Sequence, residues 1–448
     1  MGGGLYIKLD TILWGWILGG MGLVLHAFRD GIGRDELERF WNQECLLYGN
    51  WAEDVRESMG RWTFSAAVLL LQVETFFLNS LVRELIRPGM YELYTEVVDF
   101  AYMWLLVAKL LFFTRYSGKQ LLVGGSFFFC LRWVYLNNHS FWMIIGVLFA
   151  LAAKDVKLRR LLRFCLIVSV VCACLVIGGA LVGIIPSLTE EGQRVRNSFG
   201  YGWHNTAGAV IFSICLMYLC LKRITNITCL DLLMSVMAAA FCFLGPNSRA
   251  AGICILLLQV CVLMARFVPS GWKIAEKIFF LLPVAAFGSS YILSLFYTPE
   301  NPLLYAINQM FSGRLELGHE ALSATRIAIA GQGLWNETFL VDNFYVYLWI
   351  YAGPVASVLI WGAVSILLWK LVHNGSETEV IGMIVMVFYA TQETTFIWPC
   401  YNVLLWMLSR VLFAQPGVED FSAWNRDAGI CRLVEPIHGL REYPTVGE

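Results

Sequence analysis

Charged side chains are scarce in this chain: Asp, Glu, Lys and Arg make up 15% of its 448 residues, against about a quarter in a soluble domain. With 58% hydrophobic residues and a mean hydropathy of +0.65, so little charge excludes an ordinary soluble fold. The net charge of −1 offers no basic surface for nucleic acid. Several chemistries also lack their motifs. No G-x-x-x-x-G-K-[ST] loop, no G-x-S-x-G elbow and no D-x-D occurs, so ATP hydrolysis, serine hydrolysis and metal–nucleotide-sugar chemistry have no support. His319-Glu320 opens like the zinc-protease H-E-x-x-H, but Ser323 stands where the second histidine belongs. The 13 cysteines include no C-x-x-C pair. Most of them, such as Cys165, Cys172, Cys174, Cys215, Cys220, Cys254 and Cys261, fall in apolar runs, where they act as small hydrophobes. The ten-residue alternation of a membrane β-barrel is absent, as are internal repeats and low-complexity tracts. No A-x-A-like site follows the first apolar run, so the first true span is expected to serve as an uncleaved insertion signal.

Apolar runs are abundant. They fall at roughly 11–28, 62–82, 93–113, 119–136, 139–153, 162–185, 204–221, 229–246, 250–266, 275–297, 343–369, 379–396 and 398–414. A helix rising 1.5 Å per residue needs about 20 residues to cross about 30 Å of hydrocarbon. The runs therefore predict an all-α polytopic membrane protein of about 12 or 13 transmembrane helices, the first being short and Gly-rich. Residues 1–448 read as one integral membrane domain, with a large loop at 298–342 and a polar tail at 415–448.

Lysine and arginine set the expected orientation. They collect at Lys154–Arg163, at Lys222 and Arg223, at Arg266, Lys273 and Lys277, and at Lys370. Counting runs between these clusters puts all four on one side, expected to be the cytoplasm together with the tail. Segments 186–203 and 298–342, and a short turn at 247–249, then face outward. Within the long loop, the apolar positions Leu315, Leu317, Ala321, Leu322 and Ala324–Ile327 predict a surface helix begun by Ser312.

The outward face thus gathers Arg194, Arg196, His204, Asn205, Arg249, Arg314, His319, Glu320, Arg326 and Asp342. Outward arginines run against the positive-inside bias, and one within a span costs at least ~2.5–3.5 kcal/mol, so each calls for a partner. A pyrophosphate suits a planar, permanently charged guanidinium; headgroup phosphates or a nearby acid are the alternatives. His204, at the start of a run beside the outer water, has the chemistry of a general base or hydrogen-bond donor. Glu393, at the outward end of its run, is a functional candidate or an arginine's counter-ion. Glu74 and Arg132 are read as structural charges.

Five pieces of sequence resemble one family in its order: "RNSFGYGWHNTAGA" (196–209), "NSRAAG" (247–252), "FSGRLELGHEAL" with "IAGQGL" (311–322 and 329–334), "VDNFYVYLWIYAG" (341–353) and "TQETTFIWPCYNVLLWMLS" (391–409). The family is the O-antigen polymerase and ligase superfamily, particularly the polysaccharide polymerases of Gram-positive bacteria, and the resemblance covers about residues 190–410. Arg196, Arg249, Arg314, Asp342, Asn343, Glu393 and Asn402 match its motifs directly. The first piece departs from the family's S-[LF]-G-[FY]-x-H-P-N-T: the histidine column falls on Trp203 and the proline column on His204, a one-position shift that a helix start can absorb.

The resemblance implies a metal-independent, inverting glycosyltransferase of a bacterial cytoplasmic membrane, with no cofactor and an outward-facing site. It would polymerise polyprenyl-pyrophosphate-linked oligosaccharide repeat units into a capsule, exopolysaccharide or O-antigen-like chain. Flippase and chain-length regulator proteins are the further partners implied. Catalytic candidates are His204, His319 and Glu320. Substrate-binding candidates are Arg194, Arg196, Asn205, Arg249, Arg314, Arg326, Asp342, Asn343, Glu393 and Asn402. Two rivals remain open: a ligase moving lipid-linked glycan to another acceptor, and a flippase without chemistry, which would carry polar groups through the full membrane depth.

Overall fold

The computed structural model describes residues 41–47, 49, 51–138, 141–191, 195–333, 341–373 and 377–413. The expected first span at 11–28, Arg194 and the tail at 415–448 lie outside these residues.

The described chain is mostly helical. In order, the helices are α1 (Glu53–Leu78), α2 (Pro88–Ala108), α3 (Gly118–Asn138), α4 (Phe141–Ala152), α5 (Leu158–Leu181), α6 (His204–Cys220), α7 (Cys229–Leu244) and α8 (Arg249–Phe267). There follow α9 (Pro269–Glu276), α10 (Leu282–Leu295), α11 (Pro302–Met310), α12 (Arg314–Ala324), α13 (Phe344–Tyr351), α14 (Gly353–His373), α15 (Glu377–Tyr389) and α16 (Leu408–Leu412). Among the described residues there are also short 3₁₀ segments, a π turn at Lys109–Phe113 and two short antiparallel ladders: β1 (Cys45–Leu46) with β2 (Arg115–Tyr116), and β3 (Thr189–Glu191) with β4 (Val195–Asn197).

Among the described residues three helices, α5, α8 and α14, are long and apolar enough to cross a membrane, and Pro269–Glu276 with Phe279–Leu295, bent by 47°, makes a fourth if read as one span. Shorter apolar helices cover Trp142–Ala152, His204–Cys220, Cys229–Leu244 and Val403–Leu412.

Helix α8 is the centre of the half that carries the site, packed against α6, α7 and α15. Close approach explains two glycines. A Cβ on Gly208 of α6 would lie 2.3 Å from Ser248 Oγ, and one on Gly382 of α15 would lie 2.8 Å from Cys220 Sγ. Both distances are below van der Waals contact, so these helix pairs sit nearer than side chains would permit.

Basic residues gather at one end of this half. Thr228 caps α7 and exchanges hydrogen bonds with Asp231, a capping box that satisfies two otherwise free N–H groups. Asp231 also takes Lys222 Nζ at 2.5 Å. Arg159 donates to the Leu221 carbonyl at 2.9 Å and Arg266 to the Ile227 carbonyl at 2.7 Å. Three of the clusters that predicted orientation are thus joined by hydrogen bonds. Arg249 begins α8 and Arg266 lies near its end, 17 residues or about 26 Å away.

The long loop differs from expectation. Its described residues hold two helices in place of one, α11 and α12, the first capped by Asn301, whose side chain accepts from Leu303 N and Leu304 N. Ser312 does not begin α12. Its backbone is left-handed (φ 55°), and Gly313 (φ 87°) is the residue at the cap position. The helix also stops at Ala324, because Thr325 turns extended, so the apolar run through Ile327 ends outside it. Leu315 and Ala321 are buried, and a Cβ on Gly318 would lie 2.6 Å from Ser294 Oγ. Helix α12 is therefore packed down onto α10.

Candidate functional site

The Ser198–Trp203 segment is folded by its glycines and by anchors to the residues that follow α1. Phe199 (φ 48°) and Gly200 (φ 84°) turn the chain out of β4, where a Cβ on Gly200 would meet the Val176 carbonyl at 2.9 Å. Leu81 N donates to the Gly200 carbonyl and Gly202 N to the Asn79 carbonyl, each at 2.7 Å, and Tyr201 is fully buried. This seat fixes Arg196, on β4, and Asn205, in the first turn of α6.

A second turn delivers Arg249. Helix α7 ends at Leu244, Asn247 takes a left-handed conformation (φ 52°), and Arg249 is the first residue of α8. Neither α6 nor α8 has a side-chain cap at its N-terminus. Their first N–H groups and positive dipole ends accordingly favour an anion nearby.

Arg314 is placed by Asn308, a buried residue of α11. The Asn308 Oδ1 accepts from Leu315 N at 3.1 Å and Glu316 N at 3.2 Å, capping α12 from the preceding helix, while its Nδ2 donates to Tyr297 Oη and Glu316 Oε2. Arg314 then reaches inward. Its Nε donates to the Gln392 carbonyl at 2.6 Å, and its Nη2 lies 2.9 Å from Glu393 Oε1 and 3.5 Å from Asp342 Oδ2. Asn205 Nδ2 donates to the same Glu393 oxygen at 3.0 Å.

These pieces enclose one cavity of about 310 Å³, at the small end of small-molecule sites. Its wall contains Arg196, Asn205, Asn247, Arg249, Ser312, Arg314, Asp342, Gln392 and Glu393, with Ala250, Ile253, Met310, Phe311 and Phe388 as its apolar part. Six of the substrate-binding candidates meet there, from segments as far apart in sequence as 196 and 393. Arg196 and Arg249 have no ion-pair or hydrogen-bonding partner for their guanidinium groups among the described residues. The cavity therefore holds two uncompensated cations beside one that is neutralised.

The other candidates sit elsewhere. His204 is not part of the cavity wall; its Nδ1 lies 3.8 Å from Glu190 Oε2 and its buried Nε2 has no partner among the described residues. His319 Nδ1 is 3.0 Å from the Ser294 carbonyl, and its ring meets Tyr297 edge-on. Glu320 and Arg326 are exposed. Asn343 caps α13, accepting from Tyr345 N and Val346 N. Asn402 is fully buried and donates to the Phe396 carbonyl at 3.0 Å. Among the described residues no three of His, Cys, Asp and Glu come together as a metal-ligand set.

Gln392, Ser312 and Asn247 line the cavity as well, though none is among the substrate-binding candidates. Gln392 and Asn247 adjoin Glu393 and a motif serine, and Ser312 was read only as a helix start; a polar residue beside a motif residue was the available signal. No known protein family, curated protein or solved structure matches the chain.

Proposed function

We propose that the chain is a polytopic membrane glycosyltransferase that polymerises polyprenyl-pyrophosphate-linked oligosaccharide repeats at the outer face of a bacterial cytoplasmic membrane. One observation carries this reading: Arg196 and Arg249 face one cavity with no partner for their charge among the described residues, beside the uncapped N-termini of α6 and α8. A lipid-linked diphosphate is the anion suited to such a place. As it leaves the anomeric carbon its negative charge grows, and fixed guanidinium groups in a low-dielectric cleft stabilise that charge at no reorganisation cost.

The apolar part of the wall supports a lipid in place of a free anion. Ile253, Met310 and Phe388 are 45%, 77% and 36% exposed, so a prenyl tail can leave along them into acyl chains. The basic end of α8, about 26 Å from Arg249, would be the cytoplasmic side, which puts the cavity outward. The shorter apolar helices, with α1, α2, α3 and α15, would supply the remaining spans of the expected 12 or 13.

The test is direct. Purified protein given lipid-linked repeats should extend them into a ladder still on the polyprenyl lipid, and Arg196→Ala or Arg249→Ala should abolish it. Transfer of one finished glycan to a different acceptor would mark a ligase. Lipid flux across vesicles without a new glycosidic bond would end the enzymatic reading.

A further inference from the structure

A glycosyl transfer with a diphosphate leaving group still needs a group to take the proton of the attacking hydroxyl. None of the three residues first considered for this role lines the cavity. His204 and His319 are not among its lining residues, and Glu320 is exposed on α12 outside it. Two carboxylates do line it, Asp342 and Glu393.

They differ in how they are held. Asp342 is at the rim, its side chain 41% exposed and 3.5 Å from Arg314. Glu393 is enclosed, its side chain 11% exposed. Its Oε1 receives both Arg314 Nη2 and Asn205 Nδ2, whereas Oε2 has no hydrogen-bonding partner among the described residues. A carboxylate with one oxygen pinned by two donors and the other open is oriented for proton transfer, by the logic of a base fixed by a third group. Arg314 in turn is spent on Gln392, Glu393 and Asp342. Its charge is therefore already balanced by carboxylates before a diphosphate arrives.

On the reading proposed above, we infer that Glu393 is the catalytic base and that the cavity has two functional halves, Arg196 and Arg249 for the diphosphate and Glu393 for the acceptor hydroxyl. The acceptor oxygen attacks the anomeric carbon as the bond from that carbon to the phosphate oxygen breaks. The electron pair of that bond leaves with the lipid diphosphate, and the hydroxyl proton passes to Glu393 Oε2. Configuration inverts, and no further reactant is needed. Arg314 and Asn205 are positioning residues that hold the carboxylate.

The test compares Glu393→Gln, Glu393→Asp and Asp342→Asn in polymerisation of lipid-linked repeats, each protein first shown to be monodisperse and to bind the lipid diphosphate. Glutamine keeps the shape and still accepts from Arg314 and Asn205 but takes no proton, so kcat should fall about 10²–10⁴-fold with KM for the donor little changed. Glu393→Asp should retain more activity than Glu393→Gln, and Asp342→Asn more than either. Glu393→Gln within ten-fold of the wild type, or a collapse confined to Asp342→Asn, overturns the assignment. If Glu393→Gln fails to fold, the ranking of Glu393→Asp against Asp342→Asn decides alone. Wild-type protein that makes no polymer refutes the glycosyltransferase reading itself, a separate outcome.

Discussion

Arg314 Nη2 and Glu393 Oε1 stand 2.9 Å apart although 79 residues separate them. One begins a helix of the long loop and the other follows α15, so the pair ties the loop to the helices packed around α8. Both side chains are about nine-tenths buried. Removing one partner of a buried pair leaves a charge without compensation and typically costs about 3–5 kcal/mol. Arg314→Ala should therefore lower the unfolding midpoint of the detergent-solubilised protein as well as its activity. Arg314→Lys should rescue stability only in part, since an ammonium on a flexible stem cannot hold the Gln392 carbonyl and a carboxylate in one plane. A variant as stable as wild type would show that the pair does not hold the loop.

The contact of α6 with α8 makes a different prediction. Gly208→Ala would put a methyl 2.3 Å from Ser248 Oγ and 3.1 Å from Ala251 Cβ, which forces the helices apart or strains them, typically at about 1–3 kcal/mol. Asn205 lies one turn before Gly208, and Ser248 precedes Arg249. Spreading the helices should thus weaken lipid-diphosphate binding as well as stability. Comparing thermal unfolding with binding in Gly208→Ala and in the double variant Gly208→Ala with Ser248→Gly, which removes the two nearest side-chain atoms, separates these effects.

The site was legible in sequence to the extent that it consists of arginines and acids set among apolar residues, because only a partner makes such placements tolerable. Arg196, Arg249, Arg314, Asp342 and Glu393 were found that way, and their meeting in one cavity needed the fold. The division of labour among them was not legible. Nothing in the letters tells that Arg314 is occupied by Gln392 and Glu393 while Arg196 has no such partner among the described residues. The long loop was misread where backbone conformation decided: a serine ahead of an apolar run reads as a cap, but the left-handed turn at Ser312 and Gly313 hands the capping role to Asn308. A cap supplied by another helix leaves no local spacing to find.

That distant cap can be tested. Asn308 is buried, and four of its hydrogen bonds join α11, α12 and Tyr297. Loss of a cap costs about 1 kcal/mol and an orphaned buried N–H about 1–3 kcal/mol. Asn308→Ala should loosen α12, speed proteolysis within residues 302–324, and reduce polymerisation through Arg314. Asn308→Asp keeps the accepting oxygen for Leu315 N and Glu316 N but meets Glu316 with a like charge, and should fall between. Equal protease resistance in all three proteins would remove Asn308 from the account.

His204 offers the sharpest contrast between motif and geometry. Its position beside Trp203 suggested a base shifted by one residue. The ring instead lies outside the cavity wall, with Nδ1 3.8 Å from Glu190 and Nε2 buried without a partner among the described residues. A polar atom left unsatisfied in that way costs free energy, so replacing the imidazole by an apolar ring of similar shape removes a penalty along with any gain. His204→Phe should therefore lower polymerisation by less than ten-fold, far less than Glu393→Gln, and should leave the unfolding midpoint unchanged or raised. Steady-state rates for the two variants under identical conditions decide the matter. A loss of about 10² or more on His204→Phe, with Glu393→Gln still active, would put the imidazole at the reacting hydroxyl.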